Sequence, residues 1–137
     1  MNDCVFCKII RGEIPSTKVY EDEETFAFFS ISPNNQGHTL VIPKKHFRNL
    51  MDMDEPTVSS LALVTQKITR GVYNGIKADG VNIIMNNEAP AGQAVFHAHI
   101  HVIPRFKNDG LRHWDKQAPY GNGEKEKIAE EIKKEIK

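Results

Sequence analysis

The chain has 137 residues, and its 18 basic and 18 acidic side chains cancel to a formal net charge of zero. This length fits one domain with its own hydrophobic core. The balance of charges excludes the basic surface of a generic nucleic-acid binder, and no stretch approaches the about 20 apolar residues that span a bilayer, so we expect neither nucleic acid nor a membrane as a partner. Because the sequence lacks a secretion signal, we expect a cytoplasmic protein whose two cysteines do not form a structural disulfide.

The first third of the chain predicts short strands and helical turns that are separated by clear turn signals. The predicted elements are, in chain order, a helical turn over 4–11, strands over 18–21, 25–29 and 38–42, and a second helical turn over 47–51. Gly12 closes the first turn, and Pro43 ends the third strand.

The middle of the chain predicts one long amphipathic helix. Asp54 is a suitable N-cap, Pro56 lies in the first turn where proline is tolerated, and the helix is expected to end near Lys77. Spacings of three and four mark its buried stripe, which consists of Val58, Leu61, Thr65, Ile68, Val72 and Ile76. The largely apolar segment 81–85 predicts a central strand, and 86–94 predicts a loop.

The end of the chain is less regular. The segment 107–123 has no clear periodicity, and its Trp114 is either an anchor of a surface loop or a side chain that reaches a neighbouring subunit. The segment 124–137 is highly charged and predicts a terminal helix on the body of the domain or, alternatively, a frayed tail. An apolar seam would hold this helix, at Ile128, Ile132 and Ile136. We predict a domain core over 1–106 and an extension over 107–137 that packs on the same domain.

The run from Phe96 to Pro104 alternates histidine with apolar residues and predicts a β-strand. Alternate side chains share one face of a strand, so His97, His99 and His101 are expected on the same face. Alternate residues are about 7 Å apart, so three rings on one strand do not easily converge on one metal ion, although two neighbours can. The three histidines are therefore expected to have different roles, unless they simply form a polar strand face.

Cys4 and Cys7 have the two-residue gap that allows both sulfur atoms to bind one ion. A structural zinc site needs about two further ligands, and His46 and one histidine of the run are candidates. The same pair of cysteines is also compatible with a redox pair or with two buried thiols.

Several segments together resemble the histidine triad (HIT) family, in its bacterial and Hint-type branch. The resemblance extends over about 4–105, and the segments that carry it are 4–10 (CVFCKII), 12–15 (GEIP), 37–46 (GHTLVIPKKH), 92–96 (GQAVF) and 97–103 (HAHIHVI). It implies an α+β fold, in which an antiparallel sheet of about five strands is combined with one long helix and short helices. It also implies a homodimer that acts as a nucleotide hydrolase or nucleotidyl transferase.

The resemblance assigns roles to particular residues. It implies that His99 is the nucleophile, forming a nucleotidyl-histidine, and that His101 hydrogen-bonds a phosphate oxygen or assists the leaving group. It implies that Gln93 hydrogen-bonds the leaving group or the attacking water. The residues implied in nucleotide binding are Phe6, Ile9, Phe28, Ser30, Ile31, His38, Asn86, Gly92, Gln93, Ala94, Val95, His99 and His101. The implied ligands of a structural zinc ion are Cys4, Cys7, His46 and His97.

Some of these assignments have plain structural alternatives. The apolar residues of the implied base pocket are equally compatible with ordinary core, and His38 with a hydrogen-bonded core histidine. The sequence also departs from the family pattern. Ser30 stands where the family usually has an acid that accepts the ribose hydroxyls, which predicts weaker ribose binding by about 1 kcal/mol. Ala94 replaces a serine that is common in the Hint branch.

We therefore expect a phosphoramidase or nucleotidyl hydrolase that acts on purine nucleoside phosphoramidates or dinucleoside polyphosphates. One alternative is a metal hydrolase in which His97 and His99 share a catalytic zinc ion. The other is a nucleotide-binding or interaction module without catalysis.

Overall fold

Five antiparallel strands form one sheet in a computed structural model that describes residues 3–112 and 116–136. The strands are β1 (Lys18–Glu21), β2 (Thr25–Phe29), β3 (Thr39–Pro43), β4 (Gly80–Ile84) and β5 (Ile100–Arg105). Their order across the sheet is β1-β2-β3-β5-β4. The helices are α1 (Val5–Ile10), α2 (Glu55–Gly75) and α3 (Glu124–Glu135), with 3₁₀ turns at Leu50–Asp52 and Ala89–Ala91. The predicted α+β fold is therefore confirmed.

Side chains alternate between the two faces of the sheet and build a separate core on each. The core on the α2 face consists of Ala27, Val41, Leu61, Val64, Ile68, Val72 and Val102. The core on the α1 face consists of Phe6, Ile9, Phe26, Phe28, Leu40 and Ile42. The two faces of the sheet thus have different surroundings, because α2 covers one face and the histidine run lies near α1 on the other.

The long helix begins as predicted. The side chain of Asp54 accepts a hydrogen bond from the main-chain N–H of Thr57 at 2.9 Å, which satisfies a donor of the first turn. The helix ends at Gly75, two residues before the predicted end, because Lys77 adopts a positive φ of 56°. Ile76 is consequently exposed and does not continue the buried stripe. No helix within 3–112 and 116–136 combines the length and the apolar character that crossing a membrane requires.

Two strand predictions were wrong. The apolar strand β4 was predicted to be central, but within the described part of the chain it pairs only with β5 and lies at the edge of the sheet. The histidine strand is shorter than predicted, since β5 begins at Ile100. Before that residue the ladder is interrupted, because the main-chain N–H of Ala98 donates to the oxygen of Phe47 rather than to a strand partner. His97 and His99 therefore lie in the segment that leads into β5.

The terminal helix is present as α3, but none of its residues is buried. The isoleucines of its seam are 38% to 72% exposed, at Ile128, Ile132 and Ile136. The expected packing of the extension on its own domain is thus not seen along this seam in the single chain. The expectation for Trp114 lies outside the described residues.

Candidate active site and metal centre

His99 is buried immediately before β5. Its Nδ1 atom is 2.6 Å from the main-chain oxygen of His97. A carbonyl oxygen only accepts hydrogen bonds, so Nδ1 carries the proton and donates, which leaves the lone pair of the ring on Nε2. Burial lowers the pKa of His99 from its ordinary value, so the ring is neutral near pH 7. This arrangement provides a neutral imidazole nitrogen that can attack an electrophile.

His101 is held by a chain of hydrogen bonds that fixes which of its nitrogens carries the proton. The main-chain N–H of Asn34 donates to Nδ1 of His38 at 3.1 Å, so the proton of His38 is on Nε2. That nitrogen lies 2.9 Å from Nδ1 of His101 and donates to it, so His101 carries its proton on Nε2. Burial lowers the pKa of His38, and burial with the neighbouring His99 and His38 lowers the pKa of His101 to about 4. His101 is therefore a neutral hydrogen-bond donor, and its ring centroid is 5.0 Å from that of His99.

A group of four possible metal ligands lies beside this pair of rings, and we call it the metal group. Its members are Cys4, Cys7, His46 and His97, and their ligand atoms all lie within 4.8 Å of one another. Nε2 of His97 donates to the main-chain oxygen of Pro43 at 2.7 Å, so Nδ1 presents its lone pair to the two sulfur atoms, each 3.5 Å away. Nδ1 of His46 is 3.4 Å from the sulfur of Cys7.

The chemistry of the metal group fits a zinc ion. Two sulfur and two imidazole nitrogen atoms are the donor set of closed structural zinc sites. Burial raises the pKa of the Cys7 thiol, and the neighbouring Cys4 raises it further. A divalent cation between the sulfur atoms would reverse this shift, because metal binding requires and stabilises the thiolate. Burial lowers the pKa of His97 to about 4, which keeps its ring neutral, as a metal ligand must be.

The loop before the histidine run has an uncommon backbone shape. Gly92 has a positive φ of 98°, a conformation that favours glycine. A Cβ atom at this position would lie 3.3 Å from the side-chain nitrogen of Asn86. That nitrogen donates a long hydrogen bond of 3.4 Å to the main-chain oxygen of Gly92. Glu88 also has a positive φ of 77°. The N–H groups of Gly92 and Gln93 donate within the loop. Within 3–112 and 116–136, those of Ala94 and Val95 have no protein acceptor, so they are available to an anion.

A family model described as HIT domain matches residues 11–108. The chain belongs to the HIT family. Among its HIT relatives, an HIT-like protein of Borreliella burgdorferi is 50% identical over 113 residues, which is 81% of this chain and 81% of that protein. The protein named adenylylsulfatase HINT3 from Arabidopsis thaliana is 42% identical over 110 residues, which is 80% of this chain and 56% of that protein.

Solved structures of HIT proteins have the same fold. The crystal structure of SMU.412c from Streptococcus mutans UA159 superposes with a TM-score of 0.93 at 50% identity, covering 100% of this chain and 87% of that chain. A Zn-bound histidine triad family protein from Mycobacterium smegmatis superposes with a TM-score of 0.77 at 42% identity, covering 85% of each chain.

The HIT resemblance predicted that the amide of Gln93 hydrogen-bonds the leaving group or the attacking water, whereas in this structure the amide binds protein atoms. Gln93 is 3% exposed, and both ends of its amide bind protein atoms. Its Nε2 donates to the main-chain oxygens of Arg48 and Val95 at 2.6 and 3.1 Å, and its Oε1 accepts from the N–H of Glu88 at 2.8 Å. Gln93 therefore connects the loop to the segment around Arg48 and has no free donor for a substrate.

The residues of the implied HIT base pocket do not come together as one surface. Phe6, Ile9 and Phe28 are buried in the core on the α1 face, as the alternative of ordinary core predicted. Ile31 is 95% exposed, and Ser30 accepts a hydrogen bond from the N–H of Ser32 at 3.2 Å. Val95, in contrast, packs against the same core.

A polar lock next to the HIT loop, formed by Arg48, Asn49 and Glu88, was not predicted from the sequence. The guanidinium of Arg48 binds both carboxylate oxygens of Glu88, at 2.7 and 3.0 Å, and lies 4.3 Å from the ring centroid of Phe96. The buried amide of Asn49 donates to Glu88 at 2.6 Å. The only sequence signal for this lock is the N-cap pattern of Asn49 and Asp52, which predicts the 3₁₀ turn but not the partner Glu88.

Proposed function

We propose that the protein is a phosphoramidase or nucleotidyl hydrolase that transfers a nucleoside monophosphate to His99 and then to water. The observation that carries this proposal is the hydrogen bond from Nδ1 of His99 to the oxygen of His97, because it leaves a neutral lone pair on Nε2. Membership of the HIT family and the relative named adenylylsulfatase HINT3 support a substrate in which a leaving group is joined to a nucleoside 5′-phosphate.

The reaction has two displacement steps at phosphorus. In the first, Nε2 of His99 forms a bond to phosphorus, and the bond to the leaving group breaks with its electron pair; a leaving amine takes a proton from solvent. The ring becomes cationic, and the His97 oxygen that accepts the Nδ1 proton stabilises that charge. In the second, water attacks phosphorus, the bond to His99 breaks, and nucleoside monophosphate and a proton are released.

The neutral state of His101 supports one of its two implied roles, the hydrogen bond to a phosphate oxygen, over the other. A neutral imidazole whose proton is on Nε2 is a good hydrogen-bond donor but a poor proton donor. We therefore propose that His101 donates to a phosphate oxygen, on which negative charge grows in the transition state. The free N–H groups of Ala94 and Val95 are suited to the same anion.

The test is detection of the covalent intermediate by intact mass after rapid quenching with adenosine 5′-phosphoramidate. We expect an adduct of one nucleoside monophosphate on the unmodified chain and none on His99→Ala. The control is Gln66→Ala, an exposed position on α2 outside the site, which is expected to form the adduct normally. Undiminished turnover by His99→Ala would disprove the proposal, whereas nucleotide binding without adduct or turnover would favour a binding module.

We propose that the metal group holds a structural zinc ion, as the Zn-bound relative from Mycobacterium smegmatis suggests. All four positions are filled by protein, so the ion would join α1 to the segments around His46 and His97 and would not activate water. This favours a structural ion over the alternative in which His97 and His99 share a catalytic one. Elemental analysis should find about one zinc per chain and none in Cys4→Ser/Cys7→Ser. A zinc ion that remains in this double variant, is lost in His99→Ala and supports turnover without a covalent adduct would favour the metal hydrolase.

We propose that two chains form a homodimer through the outer edge of β4, which has no strand partner among residues 3–112 and 116–136. Ile83 and Ile84 are exposed there, and an edge strand with apolar side chains is a ready site for pairing with a second copy. The exposed seam of α3 provides further apolar surface. Light scattering should give twice the mass of the chain, and Ile83→Lys should shift it toward one chain. A monomeric parent protein would disprove this proposal.

A further inference from the structure

Phe6 lies between the two cysteines of the metal group in sequence and between the metal group and the nucleophile in space. Its buried ring packs edge-on against His97, with centroids 5.9 Å apart, and against His99, with centroids 5.2 Å apart and planes at 90°. It also packs against Phe28, with ring centroids 5.4 Å apart. A rotation of the His99 ring about its side-chain bonds would therefore push against Phe6, whose own position depends on α1.

His97 makes the second connection. Its Nδ1 faces the sulfur atoms of Cys4 and Cys7, its Nε2 donates to the oxygen of Pro43, and its main-chain oxygen accepts from Nδ1 of His99. One residue thus belongs to the metal group through its side chain and sets the tautomer of the nucleophile through its main chain.

The metal group also controls the first turn of α1. This helix has only six residues, and its N-cap is Cys4, whose sulfur accepts from the N–H of Cys7 at 3.4 Å. So short a helix is not stable alone and depends on its tertiary contacts. Thiol–imidazole contacts of 3.4–3.5 Å are weak, whereas metal–ligand bonds fix the same atoms firmly.

We propose that the metal group positions the nucleophile: filling it with a divalent metal fixes Phe6 and the main chain of His97, and these hold the His99 ring with its proton on Nδ1. Phe6 is in this view a positioning residue. The inference rests on the proposed function and extends it, because it makes the reactivity of His99 depend on a site that does not touch the substrate.

The experiment compares metal-free and zinc-loaded protein by nitrogen NMR of the histidine rings and by the rate of adduct formation at saturating substrate. Loss of zinc is expected to shift the His99 nitrogens toward a mixture of tautomers and to slow the adduct about 10- to 100-fold, as small misplacements of reacting groups do. Added zinc chloride should restore both. Phe6→Leu should bind zinc fully yet show the same slower adduct and mixed tautomers, whereas Val5→Ala, at an exposed position of the same helix, should behave as the parent chain.

An unchanged His99 nitrogen spectrum and adduct rate in metal-free protein would overturn the inference. Parent-like behaviour of Phe6→Leu would overturn the role of Phe6. The NMR measurement needs no substrate and no turnover, so it separates this inference from the proposed function. If zinc-loaded parent protein forms no adduct, the proposed function fails, while the response of the His99 nitrogens to zinc still decides the positioning.

Discussion

The hydrogen-bond chain from Asn34 through His38 to His101 predicts opposite results for two similar substitutions. In His38→Asn the side-chain amide occupies the place of the nearer ring nitrogen, so it preserves a partner for the N–H of Asn34 but loses the donor to His101. In His38→Gln the longer amide reaches the place of Nε2 and preserves that donor. The two variants therefore separate the support of the turn at Asn34 from the control of the His101 tautomer.

The expected effect of His38→Asn on activity follows from the hydrogen bond that His101 loses. Leaving Nδ1 of the partly buried His101 without its 2.9 Å donor costs about 1–3 kcal/mol, since an unsatisfied polar group retains its desolvation penalty. His101 would then divide between two tautomers, only one of which presents Nε2–H to the phosphate. A mixture of tautomers alone lowers kcat only about 2-fold, but the ring of His101 also loses the contact that orients it, so we expect His38→Asn to lower kcat about 10-fold with little change in KM, and His38→Gln to lower it less than about 3-fold.

The assay is single-turnover release of the leaving group from pH 5 to 9, with nitrogen NMR of His101 in both variants. A folded His38→Asn protein should show a mixed tautomer of His101, and His38→Gln should show the parent tautomer. Equal rates for the two variants, or a His101 spectrum that neither changes, would refute the reasoning and return His38 to the role of a core histidine.

Three further predictions concern stability. As pH falls below about 6.5, the unfolded chain takes up a proton that partly buried His101, with a pKa of about 4, does not, so His101 alone should lower the free energy of unfolding by about 3 kcal/mol down to pH 4. His97, whose pKa is also about 4, should add a decline of its own. Urea titrations at each pH should show a smaller decline in His101→Asn than in the parent chain, and an equal decline would contradict the shifted pKa of His101. Gln93→Leu leaves the N–H of Glu88 and two carbonyl oxygens without their partner, so urea unfolding should show that the free energy of unfolding falls by about 3 kcal/mol or more. A fall below about 1 kcal/mol together with a changed leaving-group preference would instead support the catalytic role that the resemblance implies for Gln93. Asp54→Ala removes the N-cap of α2 and should cost about 1 kcal/mol in thermal unfolding, whereas Asp54→Asn should cost little, and equal losses would show that the cap bond is not the cause.

The strands and helices set by local signals were predicted closely. The bounds of β1 and β2 agree with the sequence analysis, and α2 begins where the N-cap Asp54 and the following proline require. The errors concern pairing between distant segments. Whether β4 is central or at an edge depends on how distant strands pair, and an apolar strand at the edge of a sheet can have the same composition as a central one.

The same difference between local signals and contacts of distant segments holds for the site. The spacing of Cys4 and Cys7 predicted a ligand pair, while the addition of His46 and His97 came from the resemblance; the structure brings all four together from three separate segments. The partners of Gln93 were not predictable, because an amide before a histidine run suits a substrate and a loop equally well. Only the positions of Arg48 and Glu88, fixed by tertiary structure, decide between them.

The three histidines of the run differ through what each Nδ1 atom meets. The Nδ1 of His97 directs its lone pair toward two sulfur atoms, that of His99 donates to a carbonyl oxygen, and that of His101 accepts from another histidine. In a neutral ring each arrangement forces the opposite state on Nε2, so the same side chain is suited to be a ligand, a nucleophile or a donor. Because none of these partners but the His97 carbonyl lies within the run, a copy of the run on another sheet would not reproduce the site. The proposed chemistry therefore depends as much on Pro43, His38 and α1 as on the repeated histidines.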